Sequence, residues 1–242
     1  MEDKLTKFYR TIVKSGFYPS QRNLKFWLHN LFKDIDLQNK NILDIGGGVG
    51  VISLYAACSG ARNVICLEPE LAGSSKNLQN KFNILKQELI VYNVNFVSES
   101  FQNFNSDELF DVVISNASIN HLNEDACIKL RESKIAKEEY RNIFRKLSKM
   151  TISGSKLIIC DCSNKNFFNL IGLKNPFVPT IEWEKHQSPE VWAKLLEECG
   201  FRKEKIRWSS PNKLGKFGNL IVGNKFFSYF LSSHFCLWME RV

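Results

Sequence analysis

Short apolar, β-branched runs recur along the chain, separated by segments with helical spacing. Residues 41–46 (NILDIG), 63–68 (NVICLE), 89–96 (LIVYNVNF), 110–115 (FDVVIS) and 156–161 (KLIICD) are near-continuously apolar, as expected of strands covered on both faces of a parallel sheet. Tyr140, Ile143, Phe144 and Leu147 share one face of a helix that ends near Met150. Residues 188–200 (SPEVWAKLLEECG) predict the best-marked helix. Ser188 suits the N-cap, Pro189 the first turn, and Glu190 the positive end of the dipole. Val191, Trp192, Leu195 and Leu196 form its apolar stripe, and Gly200 its stop. Two further strands are expected at 203–208 and 234–241, making seven. Alternation of strand and helix implies βαβ units with right-handed crossovers.

No repeat, low-complexity tract or Pro/Gly-rich linker divides the 242 residues, so a single domain is expected over 1–242. The most apolar stretch, 226–239 (FFSYFLSSHFCLWM), is broken by Ser and His and is too short to span a bilayer. It reads as core helix and strand in preference to a membrane-surface patch. The opening residues have no apolar h-region, so no cleaved signal peptide is expected.

Asp44-Ile45-Gly46-Gly47-Gly48-Val49-Gly50 stands where the first strand should hand over to a helix. Glycines there allow a tight turn and a close approach of ligand to backbone. Glu68 closes the next strand, where a carboxylate can accept both hydroxyls of a ribose. A nicotinamide dinucleotide fits poorly. The G-x-G-x-x-G spacing from Gly46 would need glycine where the chain has Val51. A carboxylate at Asp44 would also repel a pyrophosphate, whereas it would welcome a ligand carrying ammonium and sulfonium groups.

LDIGGGVG resembles the D-x-G-x-G-x-G motif that opens class I S-adenosylmethionine-dependent methyltransferases. The resemblance runs from about residue 38 to 210, in family order. It implies that Asp44, Gly46, Gly47, Gly48 and Gly50 cradle the cofactor and that Glu68, followed by Pro69, holds its ribose. NFVSESF resembles the turn after the third strand, so Glu99, flanked by Ser98 and Ser100, takes the place of the acid on the adenine amino group. Glutamate replaces the commoner aspartate there. FDVVISNASINHL resembles the fourth strand and its loop, with Asn116 beside the methionine portion and His121 in the "H-L" position. The implied fold is a Rossmann-like, mostly parallel seven-stranded α/β sheet with helices on both faces. Its order is 3-2-1-4-5-7-6, with the last strand antiparallel. The implied cofactor is S-adenosyl-L-methionine and the implied product S-adenosyl-L-homocysteine. Within the domain, 1–37 would be a helical lid, 38–161 the cofactor-binding half and 162–242 the acceptor-binding half.

Methyl transfer asks the protein mainly to align an acceptor lone pair, and a hydroxyl acceptor also needs a base. Candidates follow the strand ends: His121 after the fourth strand, Asp161 at the end of the fifth, and Glu182, Glu184 and His186 in the next loop. His186, then His121, is the expected base, although either can instead be structural. The long loop 163–187 carries Phe167, Phe168, Phe177 and Trp183, which either wall an acceptor pocket or anchor the loop to the core. In the N-terminal segment Trp27, Leu28, Leu31 and Phe32 are the expected buried face, leaving Tyr18, Arg22 and Lys25 near the site mouth.

These residues favour O-methylation of a small-molecule or glycan acceptor in the cytoplasm. The net charge of +8 prompts a second reading, a nucleic-acid methyltransferase. However, the bases are scattered, and SNAS after the fourth strand lacks the N-P-P-Y or D-P-P-Y tetrapeptide of amino-methylating enzymes. A third is a non-catalytic protein that binds the cofactor. Seven cysteines show no zinc-ligand spacing, so no metal is expected, and all are read as reduced, small hydrophobes.

Overall fold

The computed structural model describes residues 2–70, 77–209 and 223–242. Its seven strands are β1 (Asn41–Ile45), β2 (Asn63–Leu67), β3 (Val94–Val97), β4 (Phe110–Asn116), β5 (Thr151–Cys162), β6 (Phe201–Trp208) and β7 (His234–Arg241). They form one sheet in the order β3-β2-β1-β4-β5-β7-β6. β1 pairs parallel with β2 and β4, β2 pairs parallel with β3, and β7 runs antiparallel to both β5 and β6. This is the expected order, with the expected antiparallel last strand. The chain forms two compact units, Met1–Ser115 and Asn116–Val242.

In the first unit, helices α1 (Lys4–Lys14), α2 (Gln21–Leu31), α3 (Val51–Cys58) and α4 (Leu78–Leu89) accompany the parallel strands. Asp3 and Ser20 cap α1 and α2 by accepting from the Thr6 and Asn23 amides, satisfying donors that a helix start leaves unpaired. Helix α1 packs on α3 and α4 and buries Phe8 and Ile12 completely. Phe8, Tyr9 and Phe32 surround the Tyr55 ring of α3. The buried face of α2 is Leu24, Leu28 and Leu31, with Phe32 just beyond it. Trp27, expected there, is half-buried and instead stacks on Tyr18 with ring centroids 5.6 Å apart. The run 89–96 also divides differently. Leu89 ends α4, Ile90 turns left-handed at φ 58° as its C-cap, and only Val94 onward is strand. The apolar pattern had merged a helix end with a strand start.

In the second unit, α5 (Glu124–Lys129), α6 (Lys134–Lys149), α7 (Phe167–Leu170), α8 (Pro189–Glu197) and α9 (Lys225–Phe230) accompany β5, β6 and β7. Tyr140 on α6 lies 4.9 Å from Trp192 on α8, and its hydroxyl donates to the backbone carbonyls of the 119–123 turn. One buried tyrosine thus fastens that turn to the helix pair. The stretch 226–239 splits: β7 is core, with Phe235, Leu237, Trp238 and Met239 buried, while α9 is mostly exposed. Cys160 and Cys236 face each other in the β5–β7 register and are joined in a disulfide. That corrects the expectation that every cysteine is reduced, because a non-local strand pairing brought together two residues 76 apart in sequence. The other five cysteines are free and buried.

Candidate functional site

The turn after β1 is built around missing side chains. Gly46, Gly48 and Gly50 have φ of 68°, 57° and 80°, a region that L side chains avoid. A Cβ on Gly47 would lie 2.6 Å from Cys66 Sγ and 3.0 Å from Asp44 Oδ2. A Cβ on Gly50 would lie 2.4 Å from the Phe82 ring of α4. Gly48, by contrast, faces open space, and its amide donates to Glu68 Oε2 at 3.0 Å. The loop is therefore packed hard against the protein on one side and open on the other.

Asp44, at the end of β1, is buried. Its Oδ2 accepts from the Ser53 hydroxyl of α3 at 2.6 Å, while its Oδ1 is buried with no partner. Burial pushes this carboxyl from an ordinary 3.8 up to about 6, although the Ser53 hydrogen bond opposes the rise and Glu68 adds to it. An orphaned, buried carboxylate oxygen beside a glycine cradle is a site that a cationic group would complete. The residues therefore fit a ligand with an ammonium group.

Glu68 follows β2, and its amide donates to Val97 O at the end of β3. That bond brings Glu68 and Pro69 to the strand end where Ser98, Glu99 and Ser100 begin. Ser98 and Glu99 are exposed and Ser100 is half-buried. Asn116 ends β4, directly after Ser115, the partner of Ile45 in the β1–β4 register.

The two candidate bases are both in the second unit, and each has a carboxylate on Nδ1. His186 Nδ1 lies 3.0 Å from Asp161 Oδ1, with the two side chains only 15% and 2% exposed. Asp161 Oδ1 also accepts from the Cys162 amide, while Oδ2 is buried without a partner. His121 Nδ1 lies 2.5 Å from Glu124 Oε1, but this pair is 55% and 41% exposed. The hydrogen bond from His121, foremost, and one from Lys185 hold the Glu124 carboxyl below its usual range. Lys185 reaches Glu124 at 3.2 Å and immediately precedes His186. Exposed pairs contribute little and orient loosely, so of these two histidines His186 is the one whose ring is fixed by a buried partner. Glu182 pairs with Lys185, and Glu184 is exposed in the short turn Trp183–Lys185.

Three further residues were not foreseen. Ser53 was hidden in an apolar helix, where a lone hydroxyl nine positions after Asp44 was the available signal. Phe82 comes from a different helix and carried no signal. His234, 3.1 Å from Cys162 Sγ, is pushed below its ordinary range by burial, although Asp161 opposes this. The loop aromatics divide between the two expected roles. Phe167 and Phe168 are half-buried and anchor the loop, whereas Phe177 is 56% exposed.

The methyltransferase-domain family matches residues 43–159, a span holding the glycine turn, Glu68, Ser98, Glu99, Ser100, Asn116 and His121. An RNA methyltransferase of Mycoplasma mobile, described as uncharacterized, is 29% identical over 147 residues. That match takes in 54% of this chain and 39% of the relative, so the chain spans well under half of that protein's length. Among solved structures, an S-adenosylmethionine dependent methyltransferase from Listeria monocytogenes is similar at a TM-score of 0.61 and 13% identity, over 91% of this chain and 98% of that one. Magnesium protoporphyrin IX methyltransferase from Synechocystis PCC 6803, with S-adenosylmethionine bound, is similar at 0.54 and 17%, over 90% and 78%. At such identities the structures bear on the fold alone.

Proposed function

We propose, for a chain that belongs to the class I S-adenosylmethionine-dependent methyltransferase superfamily, transfer of a methyl group to a hydroxyl oxygen of a small-molecule or glycan acceptor. The observation that carries the choice of hydroxyl is the buried Asp161–His186 pair. With Nδ1–H donated to Asp161, the neutral imidazole presents Nε2 as a proton acceptor, a base of fixed tautomer and orientation. His186 then takes the hydroxyl proton as the oxygen attacks, and Asp161 steadies the imidazolium that forms. His121, with a looser partner, is the second candidate.

On the cofactor side, Asp44 would receive the ammonium group, and Gly46, Gly47, Gly48 and Gly50 would let the ligand reach the backbone. Glu68 and Pro69 would hold the ribose, Ser98, Glu99 and Ser100 the adenine, and Asn116 the methionine portion. S-adenosylmethionine, when bound, supplies a methyl group whose departure leaves a neutral thioether. A cytoplasmic setting goes with this reading. Among the described residues no helix is long and apolar enough to cross a membrane.

The test combines calorimetric titration with S-adenosylmethionine and S-adenosylhomocysteine with a product assay over hydroxyl-bearing acceptors, on wild type, His186→Ala and His121→Ala. Micromolar binding, turnover, and a loss of about 100-fold or more in His186→Ala are the expected results. Near-normal turnover in both variants would remove the base, and binding without any product would leave a regulatory cofactor-binding protein. Methylation of RNA is a second reading, favoured by the name of the Mycoplasma mobile relative and the charge of +8. Steeply salt-dependent RNA binding with methyl incorporation would establish it.

A further inference from the structure

Seven of the 15 large hydrophobic side chains exposed among the described residues fall in two short segments. Leu170 (76% exposed), Ile171, Leu173 (58%) and Phe177 follow from α7, and Phe226 (66%), Phe227 and Phe230 lie on α9. The segments form one surface. Phe167 of α7 lies 5.2 Å from Phe230, which lies 5.3 Å from Phe226, and Phe168 lies 6.5 Å from Phe177. Beneath it is a buried polar brace. Asn166 donates to Tyr229 O, Leu231 O and Ser233 Oγ, and Asn175 donates to Asn166 Oδ1 and Leu231 O. Both asparagines are 1% exposed. The fold thus spends saturated, buried hydrogen bonds on holding apolar side chains outward, which a segment that merely failed to pack would not require.

Charge carried by the two segments themselves has one sign. Residues 163–181 and 223–239 contain no acidic residue, where about one in ten of the whole chain is acidic, and carry Lys165, Lys174 and Lys225. Lys174, next to Leu173, has no carboxylate partner among the described residues, while Lys165 and Lys225 share the single Glu190. Exposed Phe and Leu flanked by Lys165, Lys174 and Lys225, which outnumber the one acid that pairs with them, Glu190, is the pattern of elements that lie in the headgroup region of an anionic bilayer.

We propose that the α7–α9 face docks on an anionic lipid surface, with Leu170, Leu173, Phe177 and Phe226 entering the headgroup boundary and the lysines meeting lipid phosphates. A nucleic-acid platform suits the face less well. The exposed set includes aliphatic side chains that cannot stack on bases, and its rings meet one another edge-on, as in the 83° Phe226–Phe227 and Tyr229–Phe230 pairs. The docking is independent of the acceptor and of methyl transfer.

The experiment is co-sedimentation of the full chain with vesicles of phosphatidylcholine alone and of phosphatidylcholine with phosphatidylglycerol. It compares wild type, Leu170→Ser/Leu173→Ser/Phe226→Ser and Lys174→Glu, with circular dichroism melts confirming that each is folded. Wild type should pellet with the anionic vesicles at least tenfold more than with the neutral ones. The triple variant should lose at least tenfold, and Lys174→Glu a smaller amount that high salt abolishes. No vesicle binding, or binding unchanged in the triple variant, overturns the proposal. So would either of two other results: single-stranded RNA binding, or a concentration-dependent dimer, that the same variants abolish in the absence of lipid binding.

Discussion

Replacing Asp44 by Asn should make the unliganded protein more stable while removing its cofactor affinity. Asp44 is buried, has one oxygen without a partner, and titrates near 6 instead of 3.8 because burial opposes its charge. A folded-state pKa above the unfolded one means that the favourable state is the protonated one. Its stabilisation is complete below pH 3.8 and is lost as pH rises through about 6. By pH 8 the carboxylate costs up to about 3 kcal/mol, from about 1.4 kcal/mol per pH unit of displacement. Asparagine keeps the shape and can still bond Ser53, since a hydroxyl both donates and accepts. The expected gain is about 1–3 kcal/mol at pH 8, or several degrees in Tm, shrinking toward zero at pH 4. A cationic group brought to Oδ1 reverses the sign, because it favours the ionised form. Wild-type affinity for S-adenosylmethionine should therefore rise from pH 5 to 7 and then level, with proton release on binding. In Asp44→Asn it should fall by about 30-fold or more, the loss of one buried charge-assisted contact, and become flat with pH. Urea melts at pH 5 and 8 and calorimetry in two buffers of different ionisation enthalpy measure both halves. An asparagine variant that is less stable at pH 8, or binds as tightly as wild type, refutes the reasoning.

Asp161→Asn keeps the shape at the end of β5 but withdraws the charge behind His186, so kcat should fall by about 10- to 1000-fold with titrations against S-adenosylhomocysteine unchanged. Gly50→Ala places a Cβ against the Phe82 ring at a left-handed φ; a loss of about 1–3 kcal/mol in urea melts is expected, and Phe82→Leu in the same chain should return part of it. Phe8→Ala removes a completely buried ring and should cost about 3–5 kcal/mol. Deletion of residues 1–20 should accordingly destabilise the first unit as well as alter binding, which equilibrium melts of the two truncation boundaries, 1–3 and 1–20, can separate.

The cofactor end was readable because its constraints are local. A strand, a run of glycines with nothing but backbone freedom to recommend it, and an acid closing the next strand all lie within the 28 residues from Asn41 to Glu68, and the sheet order followed from their resemblance. What stayed hidden depends on residues that meet only after folding. Phe82 braces Gly50 from another helix. Cys236 reaches Cys160 across an antiparallel ladder. Trp27 and Leu24 fit the same helical period, and only a neighbouring ring, Tyr18, drew the tryptophan out of the core. The dyad was half legible: His186 and Asp161 were both candidates, but nothing in the spacing joined them. The 226–239 run was misjudged for a similar reason, since hydrophobicity does not reveal which half finds a partner.

The Cys160–Cys236 bond makes the chain a covalent ring, residues 160–236, with two tails. Loop 163–187, α8, β6 and α9 lie on the circumference, while the glycine turn sits on the amino-terminal tail. A protease cut anywhere between those cysteines would open the ring without releasing a fragment, and the two pieces would travel as one until a reductant parted them. Closing a ring of this size removes about 4–5 kcal/mol of chain entropy from the unfolded state. The half carrying His186 is thus insured against loss after cleavage, and the half carrying Asp44 is not.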